Sequence, residues 1–242
     1  MGEFMNYIVL DLEWNQSSTK AGEKEIPFED ADTYDMELFN YLLNCRSKII
    51  SHIENTENNF NLKIRNILWY AYTIQLDIDN DMLDDEEIFD IIDYEKTDIT
   101  PILNFYTTLD PLNPDWIPYL KHSILTYINS KNYLHNFEKQ NPQLNNYLQN
   151  IAIYFIWRYF LKATFDKDVL SKIEFMAISI ALIKILFFCQ WLESKTLTLE
   201  DCTEIVKNFS KEIEYSEDNL QKIEDIFYDS TDFSINNIIG IF

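Results

Sequence analysis

Between Ile151 and Trp191 the chain reads IAIYFIWRYFLKATFDKDVLSKIEFMAISIALIKILFFCQW, two apolar segments hinged at Phe165-Asp-Lys-Asp168. The second segment is apolar on nearly every face. A soluble protein tolerates such a helix where other helices surround it. The segments before and after it are amphipathic and suited to cover it. The expectation is an all-α fold, an irregular multi-helix bundle around a buried central helix pair over 151–192. A membrane span is the competing reading. Phe175–Trp191 carries Lys184 and Gln190, with Glu174 just before it. It falls short of the ~20 clean apolar residues a span needs, so a buried helix is preferred and no membrane partner is expected.

Composition narrows the function classes. The 242 residues suffice for one large domain or two small ones, and with 47% hydrophobic residues the chain can fill a core. Its 41 Asp+Glu against 19 Lys+Arg give a net charge of -22. Such a surface repels phosphate backbones and anionic lipid unless a local basic patch intervenes, and none is visible. No nucleic-acid partner is expected. Glycine occurs only at Gly2, Gly22 and Gly240. Neither a dinucleotide-binding loop nor a P-loop can be built without glycines where backbone approaches the ligand. Cys45, Cys189 and Cys202 are an odd, widely spaced set. They imply a reducing, cytoplasmic setting and no C-x-x-C metal or cluster site. No basic region precedes the first apolar run, so no signal peptide is read.

Met1-Gly-Glu-Phe4, ahead of a second Met5, reads as a cloning remnant. Asn6-Tyr-Ile-Val-Leu-Asp-Leu-Glu-Trp14 is a strand signal, a short β-like leader ending in Asp11 and Glu13. An i, i+2 pair projects from one face of a strand, and two carboxylates so placed are weak candidates to hold a divalent metal. Residues 5–29, YIVLDLEWNQ through KEIPFE, resemble the opening of DEDD-type 3′–5′ exonucleases, whose Asp-x-Glu motif falls on Asp11 and Glu13. The later carboxylate motifs of that family do not follow, and a lone strand cannot form a sheet. Residues 1–32 are therefore taken as a leader and linker, 33–229 as the helical domain and 230–242 as a C-terminal tail.

From Tyr34 onward the period is helical. Met36, Phe39, Leu42, Leu43, Ile49, Ile50 and Ile53 keep three-to-four spacing, Asn55–Asn59 breaks it, and Asn61–Ile78 resumes it. An αα-hairpin is the simplest arrangement. Asp77–Asp98 is an acidic belt similar to a calcium loop but without the glycine its sharp turn needs, so a solvated loop is preferred. Ile88, Phe89, Ile91 and Ile92 suggest a short helical turn beyond it. Pro114 belongs to the first turn of a helix running from Trp116 toward Phe137. Thr198-Leu-Glu-Asp201 and Ser216-Glu-Asp-Asn219 are helix starts.

Few residues offer chemistry. Arg158 and Lys162 lie i, i+4, with Asp166 and Asp168 at the hinge. They form either an anion-orienting cluster or a salt-bridge network, and the structural reading is preferred. Glu212, Glu214, Glu217 and Tyr215 crowd one helix junction. Glu212, Glu214 and Tyr215 are weak catalytic candidates, able to receive a lysine or help remove its proton, with solvated acids as the default. His52, His122 and His135 are scattered.

Three long blocks, IYFIWRYFLKATFDKDVLSKIEF, CQWLESKTLTLED and KEIEYSEDNLQKIEDIF, occur in this order. With them, residues 34–228 resemble the C-terminal helical part of bacterial flagellin lysine-N-methylases. The resemblance implies methyl transfer to lysine side chains of flagellin, with S-adenosylmethionine as donor. Arg158 and Lys162 are then weak candidates for its carboxylate. That family begins with a cysteine-rich region thought to hold an iron–sulfur centre, to which nothing here corresponds, so the centre is not expected. The expectation is a fragment or degenerate relative of the methylase. A non-catalytic helical interaction module and a metal-dependent exonuclease remnant are the alternatives.

Overall fold

The computed structural model describes residues 35–55, 59–84, 87–91 and 93–242. Every regular element among them is helical, as the periodicity implies. The leader, with Asp11 and Glu13, lies outside the described residues. The chain divides into two compact units. The first runs to Ile92 and returns with Gln149–Met176; the second holds Asp93–Leu148 and Ala177–Phe242.

In the first unit, α1 (Met36–Glu54) starts where Asp35 accepts the Leu38 N–H at 2.9 Å. It buries Leu38, Leu42, Cys45, Ile49 and Ile53. Met36, expected on that stripe, is 56% exposed, because the buried face begins two residues later at Leu38, on the other side of the helix. Asn59 caps α2 (Phe60–Asp79) through Leu62 N. The Tyr41 hydroxyl donates to Asp77 Oδ2 at 3.2 Å, joining the beginning of α1 to the end of α2. The two helices therefore run antiparallel, the expected hairpin. Asp77 is buried in α2 rather than solvated in a belt.

Residues 87–91 form no helical turn. Asn66 engages this segment instead: its Oδ1 accepts the Ile91 backbone N–H at 2.9 Å and its Nδ2 donates to the Asp90 side-chain Oδ1 at 2.9 Å. A side chain that accepts the Ile91 N–H removes the need for a helical turn to do so.

The segment around the hinge continues this unit. Helix α6 (Leu144–Tyr159) gives way to a 3-10 turn, Phe160–Lys162, and a short helical turn, Ala163–Asp166. Lys167 then takes φ 58, a left-handed conformation uncommon for a residue with a Cβ. Gln75 of α2 holds it there. Its Nε2 donates to Lys167 O at 2.9 Å, and its Oε1 accepts from Val169 N at 2.8 Å. One side chain thus caps both sides of the hinge, which falls where the sequence suggests. Phe155, Tyr159 and Phe175 pack as a triangle of rings with centroids 5.3–5.8 Å apart.

Helix α7 (Val169–Ser194) is the 26-residue core helix. Residues 171–183 are all buried, and 83% of its most apolar window is buried although its length and hydropathy would cross a membrane. Each Leu, Ile or Phe so buried stabilises by about 1.5–3 kcal/mol.

In the second unit, α3 (Thr100–Tyr106), α4 (Trp116–Ser130) and α5 (Leu134–Gln140) precede α6. Pro114 lies in the turn before α4, and the helix expected through Phe137 is interrupted at the 3-10 turn Lys131–Tyr133. Phe137 packs its ring 5.6 Å from both Phe188 and Trp191. After α7 come α8 (Leu199–Phe209), α9 (Glu217–Asp229) and α10 (Ile235–Ile239). Thr198 and Asp201 form a reciprocal capping box at α8. Residues 230–242 carry a 3-10 turn and α10, and Phe233, Ile238 and Ile239 are buried.

Candidate functional site

Between α8 and α9 the helix widens into a π turn, Ser210–Glu214, closed by Tyr215 N–H donating to Ser210 O at 3.2 Å. The consecutive residues Glu212, Ile213 and Glu214 are all buried there. At the α-helical 100° per residue three neighbours would span about 200°; the wider π turn narrows that arc, and all three are buried. The expectation of solvated acids is overturned for this pair.

Glu212 Oε2 accepts the N–H groups of Leu112 and Asn113 at 2.7 and 2.9 Å. Asn219, fully buried at the start of α9, completes the junction. Its Oδ1 accepts Asp110 N–H at 3.0 Å, and its Nδ2 donates to Asp110 O at 2.8 Å and Glu212 O at 3.1 Å. Lys222 adds an ion pair to Asp110 at 2.5 Å. This carboxylate and carboxamide fasten the 110–113 loop to the π turn. Glu214 acts on Tyr106, whose hydroxyl lies 3.5 Å from Ser179 Oγ. Burial raises the Tyr106 pKa, the Ser179 bond lowers it, and the Glu214 charge adds a further rise. Tyr215 does not join the buried pair, being 67% exposed.

In the first unit, cations gather on aromatic rings near the end of α6. Arg46 Cζ sits 4.0 Å over the Trp157 ring. Arg158 Nε donates to the Tyr159 hydroxyl at 3.1 Å, and Lys162 Nζ lies 4.7 Å from the Tyr159 ring centroid. The i, i+4 pair therefore converges on one ring, although a 3-10 turn, not a continued α-helix, carries Lys162.

Asp166 and Asp168 have a cation the sequence reading missed. Lys172, 5% exposed, places Nζ 2.8 Å from Asp166 and 3.9 Å from Asp168. Asp168 also caps α7 by accepting Ser171 N–H at 3.1 Å and the Ser171 hydroxyl. Glu174, two residues beyond Lys172, is 4% exposed. Burial first, and then the Asp168 charge, push its carboxyl up to about 9, so it is neutral at pH 7. The signal available for both was their position inside a run of apolar residues.

Cys45, Cys189 and Cys202 are buried free thiols on α1, α7 and α8. Burial raises Cys189 and Cys202 to about 12. Among the described residues no three His, Cys, Asp or Glu side chains gather as a metal-binding set, so they do not fit an iron–sulfur centre.

Residues 37–241 match the family model of the FliB lysine N-methylase C-terminal domain. Neither the curated proteins nor the solved structures include a match to this chain.

Proposed function

The chain belongs to the FliB lysine N-methylase C-terminal domain family, and from that premise we propose that it is the substrate-handling helical part of a flagellin lysine N-methylase. The family match, spanning both units, carries this reading. The reaction moves a methyl group from S-adenosylmethionine to a lysine side chain. S-adenosylmethionine would supply the methyl group; the lysine ammonium must first lose a proton, because the neutral amine holds the lone pair that accepts the methyl.

Arg158 and Lys162 are the residues of this chain that would hold the donor's carboxylate. They fit an anion because two cationic side chains meet on Tyr159, whose ring limits their freedom. Independently of that anion site, Glu214 of the second unit is the side chain we assign to assist proton removal. Glu212 is engaged by two backbone N–H groups, and we assign it a positioning role in the same turn.

That engagement also supports a second reading, a helical module that binds flagellin and leaves methyl transfer to another part of the enzyme. The test uses the full chain, purified flagellin and radiolabelled S-adenosylmethionine, with calorimetry for each binding step. Transfer of label, reduced by Glu214→Gln, supports the first reading. Flagellin binding without label transfer supports the second. A chain that binds neither flagellin nor S-adenosylmethionine overturns both.

A further inference from the structure

A cleft of about 270 Å³ opens in the second unit where the end of the chain meets the segment leading into α3. Thr97, Asp98, Pro101 and Ile102 line one side, and Asp232, Asn237 and Ile241 line the other. The two sides are pinned together. Thr97 N–H donates to Gly240 O at 3.1 Å and its hydroxyl donates to Asn237 O at 2.5 Å. Glycine is required at 240, since a Cβ would meet Glu95 O at 2.2 Å.

The lining has two chemical characters. Pro101, Ile102 and Ile241 supply an apolar wall. The polar groups that remain available are mainly acceptors, two carboxylates and an amide oxygen against one spare N–H of Asn237. Asp98 spends Oδ1 on the Thr100 N–H and hydroxyl, at 3.2 and 2.8 Å, leaving Oδ2 open among the described residues. Those bonds hold its carboxyl below the ordinary value against the opposing effect of burial, with Lys131 adding a smaller share. Asn237 donates through Nδ2 to Thr231 O at 2.8 Å, which leaves its Oδ1 as an acceptor. Asp232 contributes a second carboxylate, exposed at the rim.

Two anions, an amide oxygen and an apolar wall complement one kind of side chain: a methylene stem ending in a group that only donates. A lysine ammonium carries three N–H donors and no acceptor. Its five side-chain heavy atoms, each about the size of a water, need about 150 Å³, within the volume of the cleft. Arginine's planar fork is served best by a bidentate carboxylate; Asp98 has one oxygen already bonded to Thr100, which leaves only the rim carboxylate of Asp232 for that geometry. The net charge of -22 draws a cationic partner toward the whole surface.

We propose that this cleft binds the side chain of a lysine presented by a partner protein, with Asp98, Asp232 and Asn237 around its ammonium and Pro101, Ile102 and Ile241 along its stem. As a binding site it stands on the cleft alone. As a place where a methylase engages its substrate's lysines it rests on the function proposed above.

The test titrates the full chain with a blocked peptide carrying one lysine among neutral residues. The same peptide with norleucine in place of lysine, and free 1,5-diaminopentane, serve as comparisons. Lysine peptide should bind and norleucine peptide should not. Asp98→Asn combined with Asp232→Asn should weaken lysine binding about tenfold or more, while Asn at 98 still accepts from Thr100. Raising salt should weaken the wild-type affinity. Asp232→Asn alone, at an exposed position, gives a second variant whose fold is not at risk.

Equal binding of both peptides overturns the proposal, as does undiminished affinity in both variants. Tighter binding of the diamine than of the peptide assigns the cleft to a small polyamine and overturns the protein partner. Lysine binding in a chain that neither binds flagellin nor transfers label removes the proposed function and leaves the cleft assignment standing.

Discussion

Asn219→Ala is the substitution that most directly tests how the π turn is held. The wild-type carboxamide makes three side-chain hydrogen bonds, one through Oδ1 and two through Nδ2. All three end on backbone groups, so deletion leaves their partners without a substitute from the same side chain. Asp110 is exposed, and its N–H and C=O can recover water at a net loss of about 1 kcal/mol each. The Glu212 carbonyl belongs to a residue 3% exposed, where an unmet acceptor costs about 2 kcal/mol. Alanine's better helix propensity returns about 0.5 kcal/mol. The net loss is about 3.5 kcal/mol, which for a chain of this length lowers Tm by about 7–14 °C. Urea unfolding followed by circular dichroism measures the loss. Hydrogen exchange at the Asp110 amide reads it locally, since that N–H loses its partner. Asn219→Asp gives a pH-dependent companion. At neutral pH its carboxylate faces two carbonyl oxygens and should destabilise at least as much; protonated, it regains one donor and should recover part of the loss. A stability change under about 1 kcal/mol, with the Asp110 amide still protected, would refute the account of the junction.

Three further substitutions probe other buried groups. Glu174 keeps its proton in the folded state up to about pH 9, whereas the unfolded carboxyl releases it near 4.5, so stability should fall as pH rises through that window. Glu174→Gln should remove up to about 1.4 kcal/mol per pH unit of that slope and stabilise the chain at pH 7; an unchanged slope between pH 5 and 8 in urea titrations would count against a buried neutral acid. Lys172→Met removes the cation held by Asp166 and Asp168 and should cost about 2 kcal/mol, less than a fully buried pair because Asp166 is 45% exposed; thermal melts that match wild type would show the pair is dispensable. Gly240→Ala forces a Cβ into Glu95 O and should cost about 2–3 kcal/mol while abolishing lysine-peptide binding at the cleft, and retention of both would contradict the close approach.

What the sequence discloses here depends on whether a residue's surroundings are local. The hinge after α6 and the helix start at Thr198 are written in runs of neighbouring residues, and the fold shows them. The all-helical class follows equally, since it needs only the 3.6-residue period. The failures share a different cause: in each, a side chain distant in sequence decides the outcome. Residues 87–91 look like a helical turn until Asn66, on another element, binds the Ile91 N–H and the Asp90 carboxylate. Glu212 and Glu214 look solvated because acids cluster around them in sequence, and a period of 3.6 assigns consecutive residues to different faces. The π turn breaks that period, and the partners that make burial of Glu212 acceptable are backbone N–H groups about a hundred positions away. Lys172 and Glu174 reverse the error. Their place inside an apolar run was legible, yet a charged residue there reads as an interruption of a buried face until Asp166 and Asp168 are seen to hold the lysine. Periodicity reports which face a residue prefers, and a buried polar residue departs from that preference when a partner elsewhere in the chain satisfies it. The residues that depart are therefore the ones whose roles the sequence conceals, and the candidate site of this chain is composed largely of them.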